Sequence, residues 1–375
     1  MKRIVGIIFE ANPFHLGHQY LINQVIEDLH PDCIVAITSG YFSMRGEISL
    51  LSKKNKVQIM LDHGIDLVIE LPIHQTLNSA NVFSSSAIHY LNECGITDLC
   101  LGSESTDFSL YQKILSLEKT DAFKEALQTN LHLQYSYKVS YNMAVLETLP
   151  ESAELLNHAN ATLALEYLRT LEAYPNITPH LYQRIGNNEE NKELMGCASG
   201  TAIRESYLKG IDVSSFLPYK ASLLSKMDTF DLNMHTLCLA LFQKKYYQDK
   251  PINLLKEGIE HYLENNYEFN LTYEDNIKRL ANKKYSKSRL RRTILSLMLE
   301  ITTPITQDYL RILGFSETGL SYLRQLKLKD AIINIDQENK LIILDELKSV
   351  QLYSILLNND YTIEEYQFPL KRKVK

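Results

Sequence analysis

Four short apolar runs stand out along the first hundred residues: "RIVGIIFE", "CIVAITSG", "DLVIELP" and "DLCLGSE". Each is apolar at successive rather than alternate positions, the pattern of a strand covered on both faces. Between them, "HQYLINQVIEDLH" and "SKKNKVQIMLDHG" return apolar residues every three or four positions, as one side of a helix does. Strand and helix in alternation predict a parallel sheet in an α/β domain, with ligands held at the carboxyl ends of the strands. A longer helical stretch from Glu151 to Tyr174 leads into "NITPHLYQRIG", a fifth strand with Arg184 at its end. "SGTAIRESYLKG" then predicts a helix capped by Ser199 or Thr201 and stopped near Gly210.

From about Asp212 the pattern becomes mostly helical and rich in Leu, Lys and Tyr, with a small strand pair expected around "AIINI" and "LIIL". The reading is therefore two domains, an α/β domain over residues 1–211 and a mainly α-helical one over 212–375.

Composition adds limits. With 45% hydrophobic and 22% charged residues the chain is an ordinary globular protein rather than a disordered one. A formal net charge of -6 excludes a general cationic coat, so any nucleic-acid contact must come from a local basic surface. "IKRLANKKYSKSRLRRTIL", Ile277 to Leu295, offers one, and Lys53, Lys56, Lys244 and Lys245 would extend it. The other reading of that stretch is a solvated helix face. Five scattered cysteines, none in C-x-x-C spacing, fit reduced thiols and argue against a disulfide frame or a zinc knuckle. No run approaches the ~20 apolar residues of a membrane helix, and "MKRIVGIIFE" reads as a first strand, so a cytoplasmic protein is expected.

The candidate chemistry begins at "FEANPFHLGHQYL". A strand must turn sharply into a helix there, and a helix starting near His15 would point free N–H groups and its positive dipole end outward as an anion site. His15 and His18, three apart, share one helix face and could meet the same phosphate chain. Two surface histidines or a metal pair are the other readings, although no third ligand has evident spacing. "MRGE", Met44 to Glu47, follows the second strand as a loop that could close over substrate, or one in which Arg45 and Glu47 merely pair. Cys197 reads as an inert small residue.

"HxGH" after a first strand, with "SGTAIR" far downstream, resembles the nucleotidyltransferase superfamily that shares a Rossmann-like fold with class I aminoacyl-tRNA synthetases. More closely, "GIIFEANPFHLGHQYLINQ", "SGYFSMRGE", "GIDLVIELP", "LGSES" and "SGTAIRE", in this order, resemble the bacterial tRNA(Met) cytidine acetate ligase family. That resemblance implies a HIGH-type Rossmann-like parallel sheet. It also implies an enzyme that activates acetate with ATP and acetylates the wobble cytidine of elongator tRNA(Met) to N4-acetylcytidine. It implies catalytic roles for His15, His18 and Arg204. ATP contacts would come from Ile7, Phe9, Glu10, Asn12, Pro13, Phe14, His15, Gly17, His18, Gly102, Asn160, Arg184, Ser199, Thr201 and Arg204. The partner tRNA would be met by Lys283, Lys284, Lys287, Arg289, Arg291 and Arg292. Mg2+ is expected with the triphosphate, without a protein metal site. Ala11, Ala161 and Ala164 depart from the family pattern, which usually has Tyr at the first. Two rival readings are an adenylyltransferase acting on a small phosphorylated metabolite and a non-catalytic RNA-binding relative.

Overall fold

The structure, a computed structural model, describes residues 2–133, 135–185, 198–245, 247, 250–302, 309–326, 328 and 331–372. Cys197 lies outside them. Five strands run parallel: β1 (Ile4–Phe9), β2 (Cys33–Ser39), β3 (Leu67–Leu71), β4 (Asp98–Ser103) and β5 (Thr178–Gln183). They are the five expected runs, and the first four are almost wholly buried, as successive apolar positions require. The chain steps from β1 to β2 and β3 on one side, then crosses back to place β4 and β5 on the other. The strand order therefore reverses between β1 and β4. In open parallel sheets the crevice at the carboxyl ends of such a pair is where ligands bind.

Both faces of the sheet are covered. Helices Leu16–Leu29 and Lys53–Asp62 cover one face, and their apolar residues join a core that runs on into helices Phe230–Lys244, Tyr273–Leu280 and Lys287–Leu299. Helices Ala80–Glu93 and Ala159–Leu171 cover the other. The expected helical stretch from Glu151 is broken at His158, whose extended backbone (φ -93°, ψ 131°) starts a fresh helix N-terminus at Ala159.

The region after residue 211 is mainly helical but not only so. It returns β6 (Leu310–Phe315), antiparallel to β3, and two short strands beside it, β7 (Ala331–Ile332) and β8 (Leu370–Lys371). The 212–375 segment thus completes the sheet of the 1–211 segment and shares its core. The expected partner strand "LIIL", Leu341 to Leu344, is instead a turn leading into helix Leu344–Leu357, so "AIINI" pairs with β6 and not with it. No described helix is long and apolar enough to cross a membrane.

Candidate active site

At the end of β1 the chain folds back through Glu10 to His15, and His15 becomes the cap of helix Leu16–Leu29. Its Nδ1 accepts the N–H of Gly17 at 3.0 Å, and its own backbone N–H donates to Nδ1 of His18 at 3.2 Å. The two histidines form a reciprocal cap, the arrangement that Ser and Glu usually build. A neutral imidazole accepting through Nδ1 carries its proton on Nε2, so both rings are fixed as Nε2–H donors. The rings lie 4.0 Å apart between centroids. His18 stacks on Phe14 at 5.3 Å and meets the edge of Phe9 at 5.1 Å, which locks its orientation.

Burial lowers the His15 pKa to about 3, helped by the nearby Arg184 charge, and pushes His18 well below its ordinary value for the same reason, with His15 and Arg184 adding. The folded chain therefore refuses protons that the unfolded chain binds from about pH 6.5 downward. Stability should rise with pH across that window and fall as pH drops from about 6.5 toward 3. His15→Asn, which keeps a capping side chain, should make the loss between pH 7 and 5 smaller by about 1–2 kcal/mol in urea unfolding. An unchanged pH dependence would show that His15 is not held neutral.

Gly17 has a packing reason. A Cβ there would come within 2.8 Å of Cε1 of the His15 ring that folds over it. Across the crevice stands the start of helix Gly200–Leu208, capped by Ser199, whose side chain accepts the N–H of Ala202. A Cβ on Gly200 would lie 3.7 Å from Nε2 of His15, so two helix N-termini face each other across the same space. Arg204, one turn in, reaches the Asn12 carbonyl at 3.4 Å and pairs with Glu47 at 2.7 Å. Burial lowers its pKa and Glu47 opposes that, so it stays a cation. The space between these elements is a cavity of about 410 Å3, within the usual range for a small-molecule site.

On the β4 side, Gly102 forms part of the wall. A Cβ there would meet only ordinary contacts, Arg184 Cγ at 3.6 Å and Leu21 Cδ2 at 3.7 Å, so nothing in the packing demands glycine. Its effect is to leave the wall open. Asn160 donates to Glu104 at 2.6 Å, and Glu104 also accepts the Ala161 N–H at 2.8 Å, capping helix Ala159–Leu171 from a neighbouring loop. Arg184 lies 3.7 Å from the same carboxylate. Ala11 and Ala164 line the cavity and Ala161 packs behind it, so the departures from the family pattern leave that wall low.

The cavity brings together Phe9, Glu10, Asn12, Pro13, His15, His18, Gly102, Asn160, Arg184, Ser199, Thr201 and Arg204, residues from four separate parts of the sequence. Ile7, Phe14 and Gly17, expected as ATP contacts, are not among its lining. Ile7 and Phe14 are buried core, and Gly17 serves the His15 ring. Glu10 does line it, but its carboxylate accepts the N–H of Met44. Asn12 likewise fixes the chain after β2, donating to Ile48 O and accepting from Leu50 N.

The expected basic surface needs correction. Lys53 and Lys56 are fully buried, and Lys245 pairs with Glu264. Lys283, Lys284 and Lys287 are exposed, while Arg289 sits over the Tyr285 ring and pairs with Glu257. Arg291 and Arg292 turn inward on helix Lys287–Leu299: Arg291 bridges Glu47 and Glu274, and Arg292 donates to Met44 O at 3.0 Å. Both tie that helix to the Ser43–Glu47 turn instead of offering themselves to solvent. Gly46 (φ 69°) allows the contact, since a Cβ would come 2.7 Å from the Arg292 nitrogen. The alternative reading of that turn, an Arg45–Glu47 pair, is not met, because Glu47 is taken by Arg204 and Arg291. Glu47 and Glu104 are the organising carboxylates that motif reading passed over, and neither has a local signal, since their partners lie far away in sequence.

The family model for HIGH Nucleotidyl Transferase matches residues 1–367. A tRNA(Met) cytidine acetate ligase of Clostridium perfringens is 30% identical, the match covering 97% of this chain and 99% of that protein. Its counterpart in Staphylococcus saprophyticus is 28% identical over 98% and 99% of the two chains. The crystal structure of Thermotoga maritima TmcAL bound with alpha-thio ATP shares the fold, with a TM-score of 0.83 at 23% identity over 99% of this chain and 100% of that one. The chain belongs to the HIGH nucleotidyl transferase family and, within it, to the tRNA(Met) cytidine acetate ligases.

Proposed function

We propose that this chain is an ATP-dependent acetate–tRNA ligase that forms N4-acetylcytidine at the wobble position of elongator tRNA(Met). The observation that carries the chemistry is the reciprocal cap, which aims two fixed Nε2–H donors from one helix N-terminus toward another. That is a seat for a triphosphate, and full-length relatives named as tRNA(Met) cytidine acetate ligases supply the substrates.

In the first step an acetate oxygen attacks the α-phosphorus and pyrophosphate leaves, giving acetyl-adenylate. Charge grows on the phosphoryl oxygens and the leaving group, so positioned donors matter more than a nucleophilic side chain. His15, His18 and the first amides of helix Leu16–Leu29 serve the α-phosphate. Arg204, Ser199 and Thr201 hold the distal phosphates, with Glu47 keeping Arg204 in place. Gly102, Asn160 and Arg184 take the nucleoside end. Among the described residues no cluster of metal-ligating side chains is present; Mg2+ is expected on the phosphates of the nucleotide itself. In the second step the cytidine amine attacks the acyl carbon and AMP leaves. An anticodon base is already unpaired and can be splayed into the cavity, and the exposed Lys283, Lys284 and Lys287 offer the tRNA backbone its cations.

The test is to incubate the protein with ATP, acetate and unfractionated tRNA and to analyse the nucleosides. Acetylated cytidine that depends on all three is the expected result. Pyrophosphate release that ignores acetate and follows an added phosphorylated metabolite would overturn the proposal.

A further inference from the structure

We propose that Arg45 is the residue that binds the carboxylate of the small acid substrate, an assignment that rests on the ligase reading above. The turn that carries it is tied down at almost every other point. Ser43 N donates to Glu47 O at 2.9 Å and Gly46 N to Ser43 O at 2.8 Å, closing the turn. Met44 is held through its N–H by Glu10 and through its carbonyl by Arg292, and Glu47 is held by Arg204 and Arg291. Arg45, part-buried at the cavity wall, makes no hydrogen bond or ion pair with any described residue.

A guanidinium on a turn held this firmly is presented to the cavity in one place, where a ligand can complete its hydrogen bonds. Its field also falls on Arg184 and Arg204, disfavouring both charges, so three cations surround one cavity. Arg184 and Arg204 stand beside carboxylates, Glu104 and Glu47, whereas Arg45 acts on the buried Glu10 carboxylate through its field without forming an ion pair. The reaction brings two anions to this cavity, and they repel each other at the moment the carboxylate must approach the α-phosphorus. The triphosphate already has two imidazole donors, two helix N-termini and Arg204. The second anion needs a cation of its own, and a planar guanidinium matches a carboxylate with two parallel hydrogen bonds. Position favours the same assignment. The acyl group must lie between the nucleotide and the incoming cytidine, and Arg45 lines the same cavity as His15 and His18 on a turn that Arg291 and Arg292 join to helix Lys287–Leu299, which carries the basic stretch.

The experiment is acetate-dependent ATP–pyrophosphate exchange on the full-length protein, with ATP affinity and tRNA affinity measured separately by calorimetry. Arg45→Gln should raise the acetate KM by about 10- to 100-fold, with ATP and tRNA affinities and the thermal midpoint close to wild type. Arg45→Lys, which keeps the charge but not the fork, should recover part of the loss. An unchanged acetate KM overturns the assignment. So does an ATP affinity that falls in step with it, which would make Arg45 a phosphate contact, or a defect confined to tRNA. A wild-type protein with acetate-independent exchange would remove the ligase reading itself and this assignment with it.

Discussion

His18→Ala should abolish acetate-dependent pyrophosphate exchange, lowering the rate about 100- to 1,000-fold, while tRNA affinity stays within about twofold of wild type. The size of the effect follows from two jobs held by one ring. Nε2–H is a donor that no described protein group engages, on a ring that lines the cavity, whereas Nδ1 takes the backbone N–H of His15. Alanine removes both, so the donor is lost and the partner ring loses half of its reciprocal cap. The structural part is modest, about 1 kcal/mol for a lost helix cap, because His15 still holds the Gly17 N–H. His18→Asn separates the two jobs. A capping amide in place of the ring should recover most of the stability and little of the rate. Rate and stability returning together would make His18 a structural cap only, and wild-type exchange in the alanine variant would take the histidine out of the mechanism. The basic helix is untouched by either change, which is why tRNA affinity serves as the control.

The parts of this site that could be read from the sequence are those whose geometry is local. His15 and His18 lie three apart on a helix that follows a buried strand, and Ser199 and Arg204 lie within one turn of a helix start, so spacing alone fixes their relation. The first four strands were legible because successive apolar residues mark burial on both faces. β6 was not, because "LRILGF" places a charged residue, Arg311, at its second position and its partner, β3, lies more than two hundred residues away. Separation along the chain likewise hid the roles of Glu47 and Glu104, whose meaning comes only from the partners that folding brings to them. It also misled the reading of the cations. Lys53, Lys56, Arg291 and Arg292 look like a basic surface as letters, but the fold spends all four on internal contacts.

Arg311→Met should destabilise the folded chain by about 3–5 kcal/mol, measured by urea unfolding at neutral pH. Arg311 and Lys53 share two carboxylates, Glu70 and Glu365, and all four side chains are essentially without solvent contact. Burial works against the charge on Lys53 and Arg311, but Glu365 and Glu70 more than restore it; burial likewise opposes the Glu365 anion, which Arg311 and Lys53 hold below its ordinary pKa. Glu346 beside them is pushed well above its ordinary pKa, chiefly by burial and then by Glu70. Two cations therefore balance two anions, and methionine leaves one buried carboxylate uncompensated, which costs far more than a surface pair. The double variant Arg311→Met with Glu365→Gln removes one charge of each sign and should recover a substantial part of the loss. A single-variant loss below about 1 kcal/mol would show that water reaches the cluster. The consequence extends to the active site, because Lys53 begins the helix whose Lys56 donates to the carbonyls of Ser39 and Gly40 at the end of β2. That is where the turn bearing Arg45 departs, so a network built from β3, β6 and the C-terminal residues supports the wall of the cavity from behind. Loss of Arg311 should accordingly lower exchange activity at temperatures where the variant is still folded, by a smaller factor than loss of His18.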